Sequence, residues 1–363
     1  MDGNAGCACH LPMERQVDNV HWLTTGPSAD GRALALVSGD KQSQVEVLAL
    51  RWPDSTPPDA HSVGPTPVLA ELDRWPLDSR ATDLQVMASG GGEAVIVAGT
   101  SSGALSMGLF DGQHGRPEAP LPQVHASAVV ALDIQPETRQ VLSVDEAGRF
   151  CLTPLGPAQG QTRVLFDFKG ALSIGALRWT SATTFLTGGQ GDALLMWDVR
   201  QAGPASRSPA AGAASLESTT CMDVHPSRKY LCVVGGASGA VLMWDLRWQR
   251  QPLVLAAPPA RAPAARAGSP SLVVESGVRQ VRFDRVAHLS TAALGVAEQG
   301  ALPPVMLSTE DGQLALAGAG EACRLMRDIF SISSFDVDSE FGQDVICTSE
   351  SEKLLYLRRP RYM

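Results

Sequence analysis

The sequence predicts an all-β chain built as a seven-bladed β-propeller. Three observations carry this prediction. Two segments, Phe185–Arg200 and Leu231–Arg247, are near copies: an apolar strand, a Gly-rich turn, then a second apolar strand ending in Trp-Asp. Five weaker copies follow the same grammar. The best-spaced units, anchored at Ile134, Trp179 and Val224, lie 45 residues apart. A period of about 40–45 residues with four short strands per repeat is the propeller pattern. A lone blade cannot bury both of its faces, and stacking blades around an axis buries each against its neighbour.

The units fall at about 17–52, 80–111, 125–155, 171–200, 217–247, 276–318 and 331–359, inside a single propeller spanning 17–360. Each opens with a strand of period-2 alternation, at Val20–Trp22, Leu84–Val86, Ala131–Pro136, Leu177–Trp179, Cys221–Pro226, Val281–Phe283 and Ser334–Asp338. A hairpin follows each opening strand, and its turn glycines are expected to supply the positive φ that a tight turn demands. Three stretches rich in Pro, Ala and Ser, 53–79, 201–215 and 249–275, read as inserted loops. Such compositions bury too little apolar surface to offset the entropy of ordering. The arginines of the third loop read as solvated. The last unit ends at Lys353–Arg358, an apparent third strand with almost no chain left for a fourth. Residues 1–16 precede the first unit, and the segment His10–Val17 is expected to supply the closing strand of the last blade. Several ladder bonds of about 1 kcal/mol net each would form that latch.

Composition narrows the function classes. The 363 residues include 35 Gly and 25 Pro, and only 18% are charged, which argues against a coiled coil or a helical bundle. A hydrophobic share of 44% is enough to build a core, so global disorder is excluded. With 29 basic against 38 acidic side chains, the net charge of -9 repels phosphate backbones, and direct nucleic-acid binding is not expected. The seven cysteines are odd in number and form no Cys-x-x-Cys pair, which fits a reducing compartment. Met1–Val20 holds no apolar signal core, and no apolar run approaches the roughly 20 residues that span a bilayer. The expectation is a soluble intracellular chain without membrane insertion.

Motifs that could carry chemistry each have a simpler reading. Gly99-Thr-Ser101-Ser-Gly103 matches a nucleophile elbow, but that motif needs a strand–turn–helix setting and here falls between two strands. Cys7-Ala-Cys9-His10 lacks the second ligand pair of a structural zinc site and reads as a frayed terminus. Asp223-x-His225 and Asp336-x-Asp338 read as strand-end hydrogen bonding. The tail Arg358-Arg-Pro-Arg361 reads as solvated. No phosphate-binding loop, His-Glu-x-x-His or EF-hand pattern occurs. No catalytic, cofactor-binding or metal-binding residue is therefore expected.

Two boxes stand apart: Trp197-Asp198-x-Arg200 and Trp244-Asp245-x-Arg247. Each Trp is expected to pack between blades with its indole N–H satisfied at a strand end. Propellers that act as substrate receptors of cullin-type ubiquitin ligases carry such boxes, with the Arg docking the adaptor. That makes the six residues candidate docking residues as well.

With these boxes, the Asp-Val-His225-Pro226 strand end and the seven units, the chain resembles WD40-repeat propellers over nearly its whole length. It departs from them in lacking the Gly-His dipeptide that opens a repeat, and only two units keep Trp-Asp. The hydrogen-bond tetrad built on that His is not expected in most blades. Within that family the final unit, Ser331–Val337 and Val345–Arg358, is similar to the closing blade of the forty-three-kilodalton WD-repeat nucleoporins of the nuclear pore's Y-shaped outer ring. Val144–Arg149 and Trp197–Arg200 are similar as well. The resemblance implies a non-enzymatic scaffold at the nuclear envelope, without a cofactor. It also implies partners among other nucleoporins, above all the α-helical short-arm scaffold nucleoporin of the Y-complex. Phe-Gly occurs only at Phe341-Gly342, which suits scaffold rather than barrier material.

Overall fold

A computed structural model of the protein describes residues 7–13, 15–23, 32–38, 43–52, 66–90, 92–118, 121, 123–156, 161–191, 193–208, 216–247, 252–257, 272–284, 303–318, 322–338 and 342–359. Their regular elements are strands, and these form seven antiparallel sheets in simple up-and-down order, the seven-bladed propeller class. The first blade is β2 (Val17–Leu23), β3 (Arg32–Ser38), β4 (Gln44–Arg51) and β5 (Val68–Pro76). The second is β6 (Ala81–Gly90), β7 (Glu93–Thr100), β8 (Leu105–Phe110) and β9 (Gly115–Pro117). The third is β10 (Val129–Gln135), β11 (Gln140–Asp145), β12 (Arg149–Pro154) and β13 (Arg163–Asp167). The fourth is β14 (Ile174–Trp179), β15 (Thr184–Gly189), β16 (Leu195–Asp198) and β17 (Pro204–Arg207). The fifth is β18 (Thr219–Val224), β19 (Leu231–Gly236), β20 (Val241–Asp245) and β21 (Leu253–Ala257), with β22 (Leu272–Val273) added in parallel at its edge. The sixth is β23 (Val278–Phe283), β24 (Val305–Thr309), β25 (Gln313–Ala317) and β26 (Ala322–Arg327). The seventh is β27 (Ile332–Val337), β28 (Asp344–Ser349) and β29 (Lys353–Arg358), completed by β1 (Cys7–Pro12).

The chain packs as two compact units. One, residues 5–171 and 334–361, holds the first three blades and the seventh. Its apolar cores lie between blades, because alternate residues of one strand face opposite neighbours. On β3, Leu34 and Leu36 pack towards the seventh blade beside Ile346, Leu354 and Tyr356. Ala33, Ala35 and Val37 pack towards the second blade beside Leu84, Ile96 and Phe110. Each fully buried Leu side chain contributes about 1.5–3 kcal/mol. The other unit, centred on residues 172–333, repeats the arrangement in the fourth to sixth blades. Met222, Val224, Cys232 and Val234 of the fifth blade face the fourth, while Cys221, Leu231, Val233 and Met243 face the sixth.

Acidic pegs tie neighbouring inner strands. Asp83 Oδ2 accepts the Leu132 N–H at 2.9 Å, Asp223 Oδ2 that of Phe283 at 2.8 Å, and Asp336 Oδ2 that of Trp22 at 2.9 Å. In each case the other carboxylate oxygen accepts the next N–H of its own strand, at Leu84, Val224 and Val337. The carboxylates at 223 and 336 thus do more than finish a strand: they peg one blade to the next. Beside Asp336, His21 places Nδ1 3.3 Å from the Asp336 carboxylate and Nε2 2.9 Å from the Leu84 carbonyl. One side chain of the first blade thereby reaches both the seventh and the second.

The expected latch is present but begins earlier in the chain. Cys7–Pro12, not His10–Val17, forms β1, with Leu11 opposite Leu354 and Pro12 opposite Lys353. Cys7, Cys9 and His10 therefore lie in a strand and not in a frayed terminus. The reason is in the side chains: Leu11 is buried in the core with Tyr356 and Leu354. The stretches expected to be inserted loops also need correction. Each holds a strand of its blade: β5 lies within 53–79, β17 within 201–215, and β21 and β22 within 249–275. β5 and β17 lack apolar runs because most of their residues are partly or fully exposed, whereas β21 is a short apolar run, Leu253–Ala257, inside a Pro- and Ala-rich stretch. The Arg-containing part of the third loop lies outside the described residues. The expected solvated tail is also revised: Arg359 is buried, with Nε donating to the Gly342 carbonyl at 3.1 Å.

Deleting residues 1–12 removes the buried Leu11 side chain and the ladder it anchors. The thermal midpoint measured by scanning calorimetry is expected to fall by roughly 10 °C or more. An unchanged midpoint would count against the latch.

Candidate functional site

The two Trp-Asp-x-Arg boxes end the third strands of the fourth and fifth blades. Trp197 is fully buried and stacked on Phe185, with ring centroids 5.9 Å apart. Its Nε1 donates to Thr187 Oγ1 at 2.8 Å. Trp244 is equally enclosed, yet its Nε1 has no hydrogen-bond partner among the described residues. The expectation that both indole N–H groups are satisfied holds only for the fourth blade. The cause is one substitution between the repeats: Val234 stands where the fourth blade has Thr187.

Each Asp folds its own box into a turn. Asp198 accepts Arg200 N at 2.9 Å, Nε at 2.8 Å and Nη2 at 2.6 Å. Asp245 accepts Arg247 N at 3.0 Å, Nε at 3.0 Å and Nη2 at 2.7 Å. The Arg200 side chain, by its hydrogen bonds, holds the Asp198 carboxyl down to about 2. Arg247 lowers Asp245 in the same way and lies over the Tyr230 ring, 3.5 Å from its centroid. The side chains of Arg200 and Arg247 are 69% and 53% exposed. Both spend the fork that would grip a partner carboxylate on the neighbouring Asp, leaving Nη1 outside that pairing. The six box residues thus form two similar braces, and their direct chemistry is to stiffen the turn that follows each strand. Arg200→Ala and Arg247→Ala are each expected to leave the thermal midpoint nearly unchanged, because exposed ion pairs stabilise little. A large fall in a melting experiment would assign the braces a greater structural part.

Sequence reasoning missed a buried triad in the third blade. His125 directs Nε2 to Ser143 Oγ at 2.7 Å and Nδ1 to Asp145 Oδ2 at 3.2 Å, all three side chains being buried. The arrangement fits a neutral ring, with Nδ1–H donating to the carboxylate and Nε2 accepting the hydroxyl. Burial lowers the pKa of His125, and the Asp145 charge only partly opposes it. The missing Gly-His dipeptide hid this group, since His125 follows Val124. The signal that could have found it is Ser143-x-Asp145 at the hairpin turn, about one strand after a His.

Related networks brace other turns. In the sixth blade Ser276 and Thr309 both donate to Asp311 Oδ1 at 2.6 Å. Burial alone would raise Asp311, but hydrogen bonds from Ser276, Thr309 and Gln313 outweigh it and the net shift is downward. In the second blade Ser102 bonds Asp78 and pairs with Thr100. Ser101 is exposed in that turn between β7 and β8, so the elbow-like motif sits in a strand–turn–strand setting. Burial pushes the Cys151 thiol up to about 11 and the Cys221 thiol up to about 12, and raises Cys232 and Cys347 as well. Such thiols are poor nucleophiles. No group of three or more His, Cys, Asp or Glu suited to a metal is found among the described residues.

An unfolded chain takes up a proton on His125 near pH 6.5, while the buried ring resists it. Stability contributed by this group is therefore present above that pH and lost as pH falls below it. Thermal melts across pH 5–8 should show a downward slope on the acid side, flatter in His125→Gln. An identical slope in the variant would contradict this account.

No protein-family model matches the chain. Among curated proteins, it is similar to a nuclear pore complex protein, NUP43 of Arabidopsis thaliana. The two are 32% identical over 365 residues, covering 96% of this chain and 97% of that protein. The sheets and braced turns define a WD-repeat β-propeller of the scaffold type. With that identity across nearly both whole lengths, the chain belongs to the NUP43 family of nuclear pore complex proteins.

Proposed function

We propose that this propeller is a non-enzymatic structural subunit of the outer-ring Y-complex of the nuclear pore, supporting nucleocytoplasmic transport. Its principal partner in this reading is the α-helical short-arm scaffold nucleoporin. The observation that carries the proposal is the similarity to NUP43 across nearly the whole of both chains. The chain is a nucleoporin located at the nuclear pore, and other nucleoporins are its natural partners. The geometry is compatible with scaffolding: buried inter-blade cores leave turns, braced by Asp and Arg, as the elements free to differ from blade to blade.

Affinity purification of the tagged full chain, followed by mass spectrometry, tests the proposal. Helical scaffold nucleoporins of the outer ring are expected to co-elute. Their absence would argue strongly against it. Recovery of a cullin-ligase adaptor, lost in the Arg200→Ala/Arg247→Ala double variant, would favour the ligase-receptor reading that the exposed box arginines permit.

A further inference from the structure

The connection from the sixth blade to the seventh carries a large apolar pair where two sister turns hold small or polar residues. Ile329 is 87% exposed and Phe330 43% exposed. The pair is held rigidly. Asp328 Oδ1 accepts the N–H groups of Ile329 at 2.6 Å and Phe330 at 3.3 Å. The Asp328 N–H donates to the Gly312 carbonyl at 2.8 Å, and Gly312, at φ +76°, lies directly beneath the carbonyls of Asp328 and Phe330.

Two other blade connections are built on the same contact. Gly103 lies beneath the carbonyls of His125 and Ser127, and Gly239 beneath those of Val274 and Ser276. By that correspondence, the places of Ile329 and Phe330 hold Ala126 and Ser127 in one sister turn, and Glu275 and Ser276 in the other. The backbone therefore folds this way without large apolar side chains. Exposing most of Ile329 and nearly half of Phe330 costs solubility, as expected of an interaction element.

The surroundings indicate the chemistry of the occupant. Arg327 precedes the turn with 58% of its side chain exposed, and Arg279, 41% exposed, donates from Nε to Ser331 Oγ at 3.4 Å. Arg324 is exposed on the same outer strand and reaches Gln313 Oε1 at 3.1 Å. Glu310 lies 3.8 Å from Arg279 and Asp311 4.0 Å from Arg327. An exposed Ile-Phe pair rimmed by arginines, on a chain of net charge -9, is complementary to an apolar protein pocket with an acidic rim.

We propose that Ile329 and Phe330 form a docking knob that inserts into an acid-rimmed apolar pocket on a partner nucleoporin. This rests on the scaffold reading above and specifies one of its contact surfaces. The net negative charge of the chain works against the alternative occupant, an anionic membrane surface.

The test uses the full chain and the variant Ile329→Ala/Phe330→Ser, which restores the residues of a sister turn and should keep the thermal midpoint. Val68→Ser, at another exposed apolar position, is the control. Nucleoporins recovered with the wild type and the control should be depleted with the double variant. Direct titration of the recovered, purified nucleoporin should show affinity weakened roughly thirtyfold or more, as for an aromatic hot spot. A photo-crosslinking residue at position 329 should label that nucleoporin in an apolar segment flanked by Asp or Glu. Nucleoporin recovery within twofold of wild type, with the double variant folded, would overturn the knob and leave the scaffold reading standing. Failure of the wild type to recover any nucleoporin would instead remove the scaffold reading and the knob with it. Flotation with phosphatidylcholine–phosphatidylserine vesicles that depends on Ile329 and Phe330, with nucleoporin binding unaffected, would assign the pair to a membrane.

Discussion

Within each unit the inner strands of adjoining blades are apolar where they meet, so each blade depends on a neighbour to cover that face. That constraint dictates residue choice down to single methyl groups. On β19, Val233 and Val234 point to opposite neighbours and both are fully buried. Gly235 follows, where a Cβ would lie 2.6 Å from Val278 of the next blade and 2.7 Å from Cys221. Gly188 occupies the equivalent place on β15 and would collide with Thr219. The paired glycines that look like turn residues in the sequence are thus points of close approach between blades. The positive φ values belong instead to Gly191 (+86°) and Gly239 (+87°), a few residues further on. Side chains at 188 or 235 would push neighbouring inner strands apart, and the apolar contacts would go with them.

Close approach creates a second demand, because apolar stacking alone does not set register along the strand direction. The recurrent inner-strand carboxylates meet it. Asp83, Asp223 and Asp336 each bind one N–H of their own strand and one of the next blade, so a slip of one residue would break a charge-assisted bond at a partly buried site. Apolar packing supplies most of the stabilisation and the pegs supply the alignment. At the meeting of the chain's two ends, His21 adds a third link, and Trp22 Nε1 donates to the Asp336 carbonyl at 3.2 Å. There β1 and the pegs act on the same blade, so the last-made sheet in the sequence is secured by the first-made strand.

The first three strands of each blade were legible in the sequence because their burial leaves apolar runs with turn residues at fixed offsets. The outer strands were not. Pro204–Arg207 is exposed throughout, and its side chains carry no record of a strand whose bonds are made by the backbone. The same holds for Cys7–Pro12, whose only clear signal is Leu11. Among the candidate site residues, the Trp-Asp-x-Arg boxes were visible as motifs, and the structure shows what a motif cannot. Their arginines are engaged by their own aspartates, and one of the two indoles faces Val234 where the other has its acceptor, Thr187. The triad of His125, Ser143 and Asp145 escaped notice for the opposite reason: its geometry is that of a conserved-looking brace, but its His lacks the preceding Gly by which such a brace is usually recognised.

A repeated fold meets a problem when it must bind a particular partner, since seven similar blades offer seven similar surfaces. The inner strands cannot provide the difference, because their side chains are largely committed to the cores between adjoining blades. The three glycine-backed connections can, because their backbone is held against a glycine while some of their side chains, such as Ala126, Glu275 and Ile329, are exposed. Ala126-Ser127, Glu275-Ser276 and Ile329-Phe330 are three decorations of one backbone device. The rigidity matters as much as the variation, since a side chain displayed on a braced turn loses little further entropy on binding. Specificity in such a scaffold therefore comes from which turn carries the apolar pair, and the uniform core is what makes that local difference affordable.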